Sequence, residues 1–199
     1  MRIIECDQGS EAWYAARCGV PSASNFDMIL TTKGERSKQR QKYMYRLAGE
    51  RVCGIPEEAY QSAAMARGKE MEAEAREFYE FAKGVDVRQV GFCMDDNAPF
   101  GASPDGLVGD DGCLEIKCPI IATHVGYLIE NMVPLDYFQQ TQGQLLVTGR
   151  IWCDFVSYYP GIKPLIIRVN REEPFIKMLK SELLGFCEEL ETVARKIGG

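Results

Sequence analysis

Residues 112–118 carry the sharpest alternation in the chain: Leu114, Ile116 and Cys118 are apolar, and Glu115 and Lys117 stand between them. A period of two predicts a strand with one buried face, which places Glu115 and Lys117 together on the other. Gly109-Asp110-Asp111-Gly112 is strong turn chemistry, so the segment 100–108 is expected to fold back as the partner strand and bring Asp105 near both. An ideal two-residue hairpin would set Asp105 opposite Ile116, on the wrong face. Pro104 and Gly106 flank Asp105 and predict a break or bulge that re-aims it.

Elsewhere the pattern is mostly helical. Ser10 to Arg17 predicts a short helix, and Ser22 and Ser24 offer caps for another running to about Leu30. A polar loop over 31–37 precedes a helix to about Cys53, ended by Gly54 and Pro56, and a long helical stretch over 57–83 stops at Gly84. Strands are expected over about 86–94, 100–107 and 112–118, helices over 120–131 and 135–147, strands over 151–159 and 164–169, and a closing helix over 172–196. The expectation is one domain, 1–199, with a helical N-terminal part (1–84), a sheet-containing core (85–171) and a C-terminal helix (172–196). The class is α/β or α+β, a central mixed sheet flanked by helices.

Two helical faces hold polar residues of interest. In 135–147, Leu135, Phe138, Leu145 and Leu146 form one apolar face at 100° per residue; Gln142 falls in its middle and Gln140 points away. A buried amide left unpaired costs about 1–3 kcal/mol, so Gln142 needs partners: nearby backbone, or a catalytic water or metal ligand. In 66–82 the stripe is Met71, Ala75, Phe78 and Ala82, with Glu72 and Glu74 on opposite edges; geometry does not choose between them.

Composition bounds the chemistry. A chain of 199 residues, 46% hydrophobic and 26% charged, can bury a sizeable core. No run of 18 apolar residues and no signal-peptide pattern occurs, which predicts a soluble, cytoplasmic protein away from membranes. The eight cysteines form no C-x-x-C pair, so zinc and iron–sulfur sites are disfavoured and free thiols are expected. His124 is the single histidine, which excludes histidine-based nuclease and zinc-hydrolase mechanisms; P-loop, G-x-S-x-G and G-x-G-x-x-G signatures are absent. The net charge of −6 argues against nucleic acid, but 33–51 holds seven basic and two acidic residues, a net of +5 that leaves −11 for the rest. Such a strip suits phosphates, or is simply a solvated helix face.

Pro104-Asp105, nine residues, then Glu115-Ile116-Lys117 resembles the PD-(D/E)xK nuclease signature. Two carboxylates and a lysine on adjacent strands suit a hard cation and an activated water. Three further blocks stand in order: Trp13 to Ser24, Arg67-Gly68-Lys69-Glu70-Met71-Glu72, and Gln140-Thr141-Gln142-Gly143-Gln144 followed by Val147-Thr148-Gly149. Together they resemble the lambda exonuclease / YqaJ-like viral recombinase family over nearly the whole chain.

The resemblance implies a restriction-endonuclease-like core and a catalytic set of Glu72, Asp105, Glu115, Lys117 and Gln142. It implies Mg²⁺, two ions with Mn²⁺ as substitute, held by Asp105, Glu115 and the Ile116 carbonyl, and a 5′-phosphate pocket of Arg17 and Ser24 joined by Ser103. Met65 takes the place of an apolar wedge at the duplex end. The implied activity is 5′→3′ digestion of one strand of linear double-stranded DNA, leaving 3′ overhangs for recombination by strand annealing. The implied assembly is a homotrimeric ring working beside a single-strand annealing protein in the bacterial host cytoplasm. Two rivals stay open. An endonuclease on the same core would cut circles and ignore a 5′-phosphate, and a non-catalytic DNA-end binding module would show no Mg²⁺-dependent cleavage.

Overall fold

A computed structural model describes residues 1–57 and 63–198, the side chains of Ala63, Ala64, Met65 and Lys69 excepted. The chain runs β1 (Arg2–Ile4), α1 (Glu11–Arg17), a 3-10 segment (Ala23–Met28), α2 (Arg40–Cys53), α3 (Ala63–Lys83), β2 (Val87–Arg88), β3 (Phe92–Met94), β4 (Gly101–Ala102), β5 (Gly106–Val108) and β6 (Gly112–Lys117). It continues through α4 (Ile121–Glu130), a short 3-10 turn (Leu135–Tyr137), α5 (Phe138–Thr148), β7 (Trp152–Ser157), β8 (Leu165–Asn170) and α6 (Glu173–Gly198).

The main sheet has the order β2-β5-β6-β7-β8 and is antiparallel except for the parallel pair β6–β7. A parallel neighbour needs a crossover, and α4 and α5 supply it. The architecture is thus mixed α/β, a mixed five-stranded sheet flanked by helices. A second sheet, β1-β3-β4, is antiparallel.

Two expected strands are each divided between the sheets. The segment 86–94 splits into β2 and β3, and 100–107 into β4 and β5. Gly91 marks the first break: a Cβ there would sit 2.5 Å from the carbonyl oxygens of Ile4 and Cys6, so only glycine admits β1 this closely. Ser103-Pro104-Asp105 marks the second. Broken strands leave carbonyls without ladder partners. Gln8 satisfies one from each break, its amide donating to Val90 O and to Pro104 O at 2.9 Å each.

The larger core cluster joins α2, α5, α6 and the 3-10 segment around Phe26, Leu47, Phe100, Leu145 and Phe186; the smaller joins Ala75 and Tyr79 of α3 to Leu114, Ile116 and Val156. α5 is central, and it is buried on nearly every side. Gly143 lets Phe26 press against it, since a Cβ would lie 2.5 Å from that ring. Helix ends follow local chemistry: α2 and α5 stop at Gly54 (φ 68°) and Gly149 (φ 71°), left-handed positions that glycine adopts freely. Among the described residues no helix is long and apolar enough to cross a membrane.

Candidate active site

The β5–β6 hairpin aims the acidic pair through its turn. Val108 faces Gly112 and Gly106 faces Leu114, so the loop has three residues, Gly109 to Asp111, with Gly109 at φ 51°. One more loop residue than an ideal two-residue turn shifts the register by one. Asp105, at the bend before β5, is therefore next in line with Glu115 instead of Ile116. Its backbone N–H reaches Leu114 O at 3.0 Å, and its Oδ2 accepts the Ile116 N–H at 2.6 Å. In a strand the N–H and C=O of one residue point to the same neighbour, so the Ile116 carbonyl faces the edge where β5 has ended.

Glu115 is 1% exposed and accepts three donors. Lys117 Nζ pairs with Oε1, Gln140 Nε2 donates to Oε1 at 2.5 Å, and Gln144 Nε2 donates to Oε2. Gln140 and Gln144 lie one helical turn apart on the face of α5 turned to β6. Gln142 is on the opposite face: its Nε2 donates to Asn170 O and its Oε1 accepts the Glu172 N–H, both at 2.9 Å. The expected position of Gln142 among the carboxylates is corrected accordingly. Its buried amide is satisfied by the backbone, while Gln140, expected to point away, and Gln144 reach Glu115. The apolar-face reading failed because α5 is buried all round, so hydrophobic residues mark no single side.

The structure separates Glu72 from Glu74. Glu74 accepts the Tyr158 hydroxyl at 2.6 Å. Glu72 pairs with Arg76 at 2.6 Å, one turn along α3, and with Asp105 lines a cleft of about 680 Å³ that Gln8, Gln89 and Gly91 also bound. Gly68, one turn earlier, brings α3 onto β6, where a Cβ would be 3.2 Å from Cys118 O.

Arg17 closes the other side of the Ser103-Pro104-Asp105 bend. Its guanidinium lies 4.2 Å from the Trp13 ring centroid and donates to the hydroxyls of Ser103 (3.2 Å), Ser22 (3.1 Å) and Ser24 (3.2 Å). Ser103 also accepts the Trp13 indole N–H at 2.9 Å. The structure thus brings Arg17, Ser24 and Ser103 together, and adds Trp13 and Ser22. Met65 lies outside the described side chains.

Charge balance distinguishes both ends of this bend. Burial, then the neighbouring Glu115, pushes the Asp105 carboxyl well above its ordinary value, with Lys117 opposing. Burial pulls Lys117 down, but Glu115 and Asp105 outweigh it and hold the ammonium charged. Burial also lowers the Arg17 guanidinium, whose direct partners among the described residues are hydroxyls and aromatic faces. One end of the bend gathers two carboxylates against one ammonium, and the other holds a half-buried guanidinium with no counter-ion in contact among the described residues.

The acidic end fits a hard divalent cation in its donor chemistry. Asp105 Oδ1 accepts no protein hydrogen bond among the described residues, and three donors on Glu115 leave lone-pair capacity on a carboxylate that has about four acceptor positions. Among the described residues no three His, Cys, Asp or Glu side chains are gathered as a ready-made cage.

The basic strip is largely spent within the molecule. Arg36, Arg40 and Arg51 pair with Glu182, Glu189 and Glu191 of α6, and Arg46 lies 3.8 Å from Glu57. Among the described residues Lys33, Lys38 and Lys42 form no ion pair. A phosphate-tracking strip therefore shrinks to these lysines.

The family model of the YqaJ-like viral recombinase domain matches residues 12–151. An alkaline exonuclease from Laribacter hongkongensis, LHK-Exo, is 38% identical with a TM-score of 0.86, covering 94% of this chain and 96% of that one, and the same holds for its structure in complex with dAMP. A phage-related exonuclease from Haemophilus somnus 129PT shares the fold, with a TM-score of 0.70 at 13% identity over 89% of this chain and 96% of that one. No curated protein matches the chain.

Proposed function

The chain belongs to the YqaJ-like viral recombinase family, and from that membership we propose that it is a divalent-metal-dependent exonuclease. It digests one strand of linear double-stranded DNA from a 5′-phosphorylated end, leaving a 3′ overhang for a single-strand annealing protein. The observation that carries this reading is the pairing across Ser103-Pro104-Asp105. Among the described residues, a half-buried cation with no counter-ion in contact sits at one end of the bend, and a carboxylate pair, Glu115 buried and Asp105 half-buried, sits at the other. Two residues span at most about 7 Å. A strand end bearing a terminal phosphate, followed by its first phosphodiester, has matching demands over a similar reach.

Asp105, Glu115 and the Ile116 carbonyl would hold Mg²⁺ or Mn²⁺, and Asp105 can share a second ion. Such a cation supplies Lewis-acid neutralisation of the phosphodiester and lowers the pKa of water. The side chains supply the rest. Lys117, held charged by Glu115 and Asp105, acts as a donor and charge stabiliser instead of a base. Gln140 spends one amide hydrogen on Glu115 and keeps its carbonyl oxygen to orient a water. Glu72 borders the same cleft and can accept from a second water. Arg17, Ser24 and Ser103 bind the terminal phosphate and set the first scissile bond at the carboxylates, so position does the work of selection.

The test compares linear duplexes with 5′-phosphate and 5′-hydroxyl ends. Phosphorylated ends should be degraded about tenfold to a hundredfold faster, as a charge-assisted contact of ~1.5–3 kcal/mol predicts. Arg17→Ala should slow that substrate alone, and closed circles should resist. Equal rates on both ends, with cutting of circles, would reject the pocket and favour the endonuclease.

A further inference from the structure

A fixed amide stands behind the acidic pair. Gln144 is 1% exposed and spans the distance between two buried groups. Its Nε2 donates to Glu115 Oε2, and its Oε1 accepts the Cys153 thiol at 3.6 Å. Cys153 is fully buried on β7, which lies parallel to β6. An ionised carboxylate only accepts, so the amide nitrogen must face Glu115, and the thiol, turning its hydrogen to the oxygen at the other end, holds that end in place. The backbone is tied as well: Thr148 Oγ1 donates to Gln144 O at 2.7 Å and meets Cys113 Sγ at 3.4 Å. Lys117 and Gln140 both bind Oε1, so Gln144 is the donor that fixes the other oxygen.

We propose that Gln144, oriented by Cys153, is a positioning residue that locks the rotation of the Glu115 carboxylate and so prepares it as a cation ligand. This rests on the nuclease reading of the site. Buried carboxylates without a second donor can swing, and partners behind a ligand typically contribute ten- to a hundredfold in metal affinity.

Mn²⁺ affinity, measured by calorimetry on the protein without DNA, tests the relay. Gln144→Met keeps the side chain's length and removes its donor. It should weaken Mn²⁺ binding about ten- to a hundredfold, while the maximal cleavage rate at saturating Mn²⁺ stays within about fivefold of the parent, since the same transition-state contacts remain. Cys153→Ser, which keeps a donor, should bind Mn²⁺ like the parent, and Cys153→Ala should bind it more weakly. Affinity unchanged or tightened in folded Gln144→Met overturns the proposal. Should Gln144→Met not fold, equal affinities in Cys153→Ser and Cys153→Ala overturn it instead. A parent that binds no Mn²⁺ and cleaves no duplex overturns the nuclease reading together with it, whereas a metal-dependent parent with an indifferent Gln144→Met sinks the relay alone.

Discussion

At the scale of single residues, the site is arranged against stability. A buried and a half-buried carboxylate stand close together, and desolvation together with Glu115 raises the Asp105 carboxyl. The folded protein therefore holds that proton more tightly than the unfolded chain does. Its stabilising contribution is complete below the ordinary aspartate range and is lost as pH rises through the raised folded value. Asp105→Asn removes one charge and keeps an oxygen for the Ile116 N–H. In EDTA at neutral pH it should melt higher than the parent. A gain of about 1 kcal/mol corresponds to roughly 2–4 °C for a chain of this size. The gain should shrink as pH falls, because the parent's Asp105 then becomes neutral too. Cleavage should disappear. Melting curves across pH would contradict the account if the substitution lowered the melting point at neutral pH.

At the scale of elements, legibility followed local sequence pattern. The β6 alternation, the α2 and α5 stops, and the juxtaposition of Asp105, Glu115 and Lys117 could all be read from sequence, because turn residues and charges alternating with apolar residues leave a pattern, even though both faces of β6 are buried. The division of two strands between two sheets could not. It depends on Gln8 satisfying carbonyls more than eighty residues away, a contact with no local signal. β1 was missed because three residues are too few to show a period. α5 misled because it is enclosed: its glutamines all look alike when every side is buried, and only the one-turn spacing of Gln140 and Gln144 hints at a shared face. The difference is measurable. Gln140→Ala should slow cleavage on the order of a hundredfold with little change in melting, as for loss of a group aimed at the reacting water. Gln142→Ala should cost about 1–3 kcal/mol of stability through its two orphaned backbone partners, and leave the rate per folded molecule near the parent's. The opposite assignment of effects would restore Gln142 to the site.

At the scale of the molecule, the unsolved problem is how an acidic body stays on a polyanion. The chain carries −6, and the arginines that made residues 33–51 look like a phosphate track are mostly neutralised by the acidic face of α6. In that strip Lys33, Lys38 and Lys42 are left without an ion pair among the described residues, so its electrostatic grip is weak. A ring, as the family resemblance implies, would solve this without charge, because an enclosed strand cannot diffuse away between cuts. Topology and electrostatics make different forecasts. With a ring, light scattering should give about three times the 22.4 kDa chain mass. The number of nucleotides removed per encounter should then change little between 50 and 200 mM salt, even as initial loading slows. Held by charge alone, the protein would shed that run length by orders of magnitude over the same range, as expected when several phosphate contacts are lost. A monomer at micromolar concentration with salt-insensitive run length would refute both forecasts, and a monomer with steep salt dependence would return the remaining lysines to the centre of the mechanism.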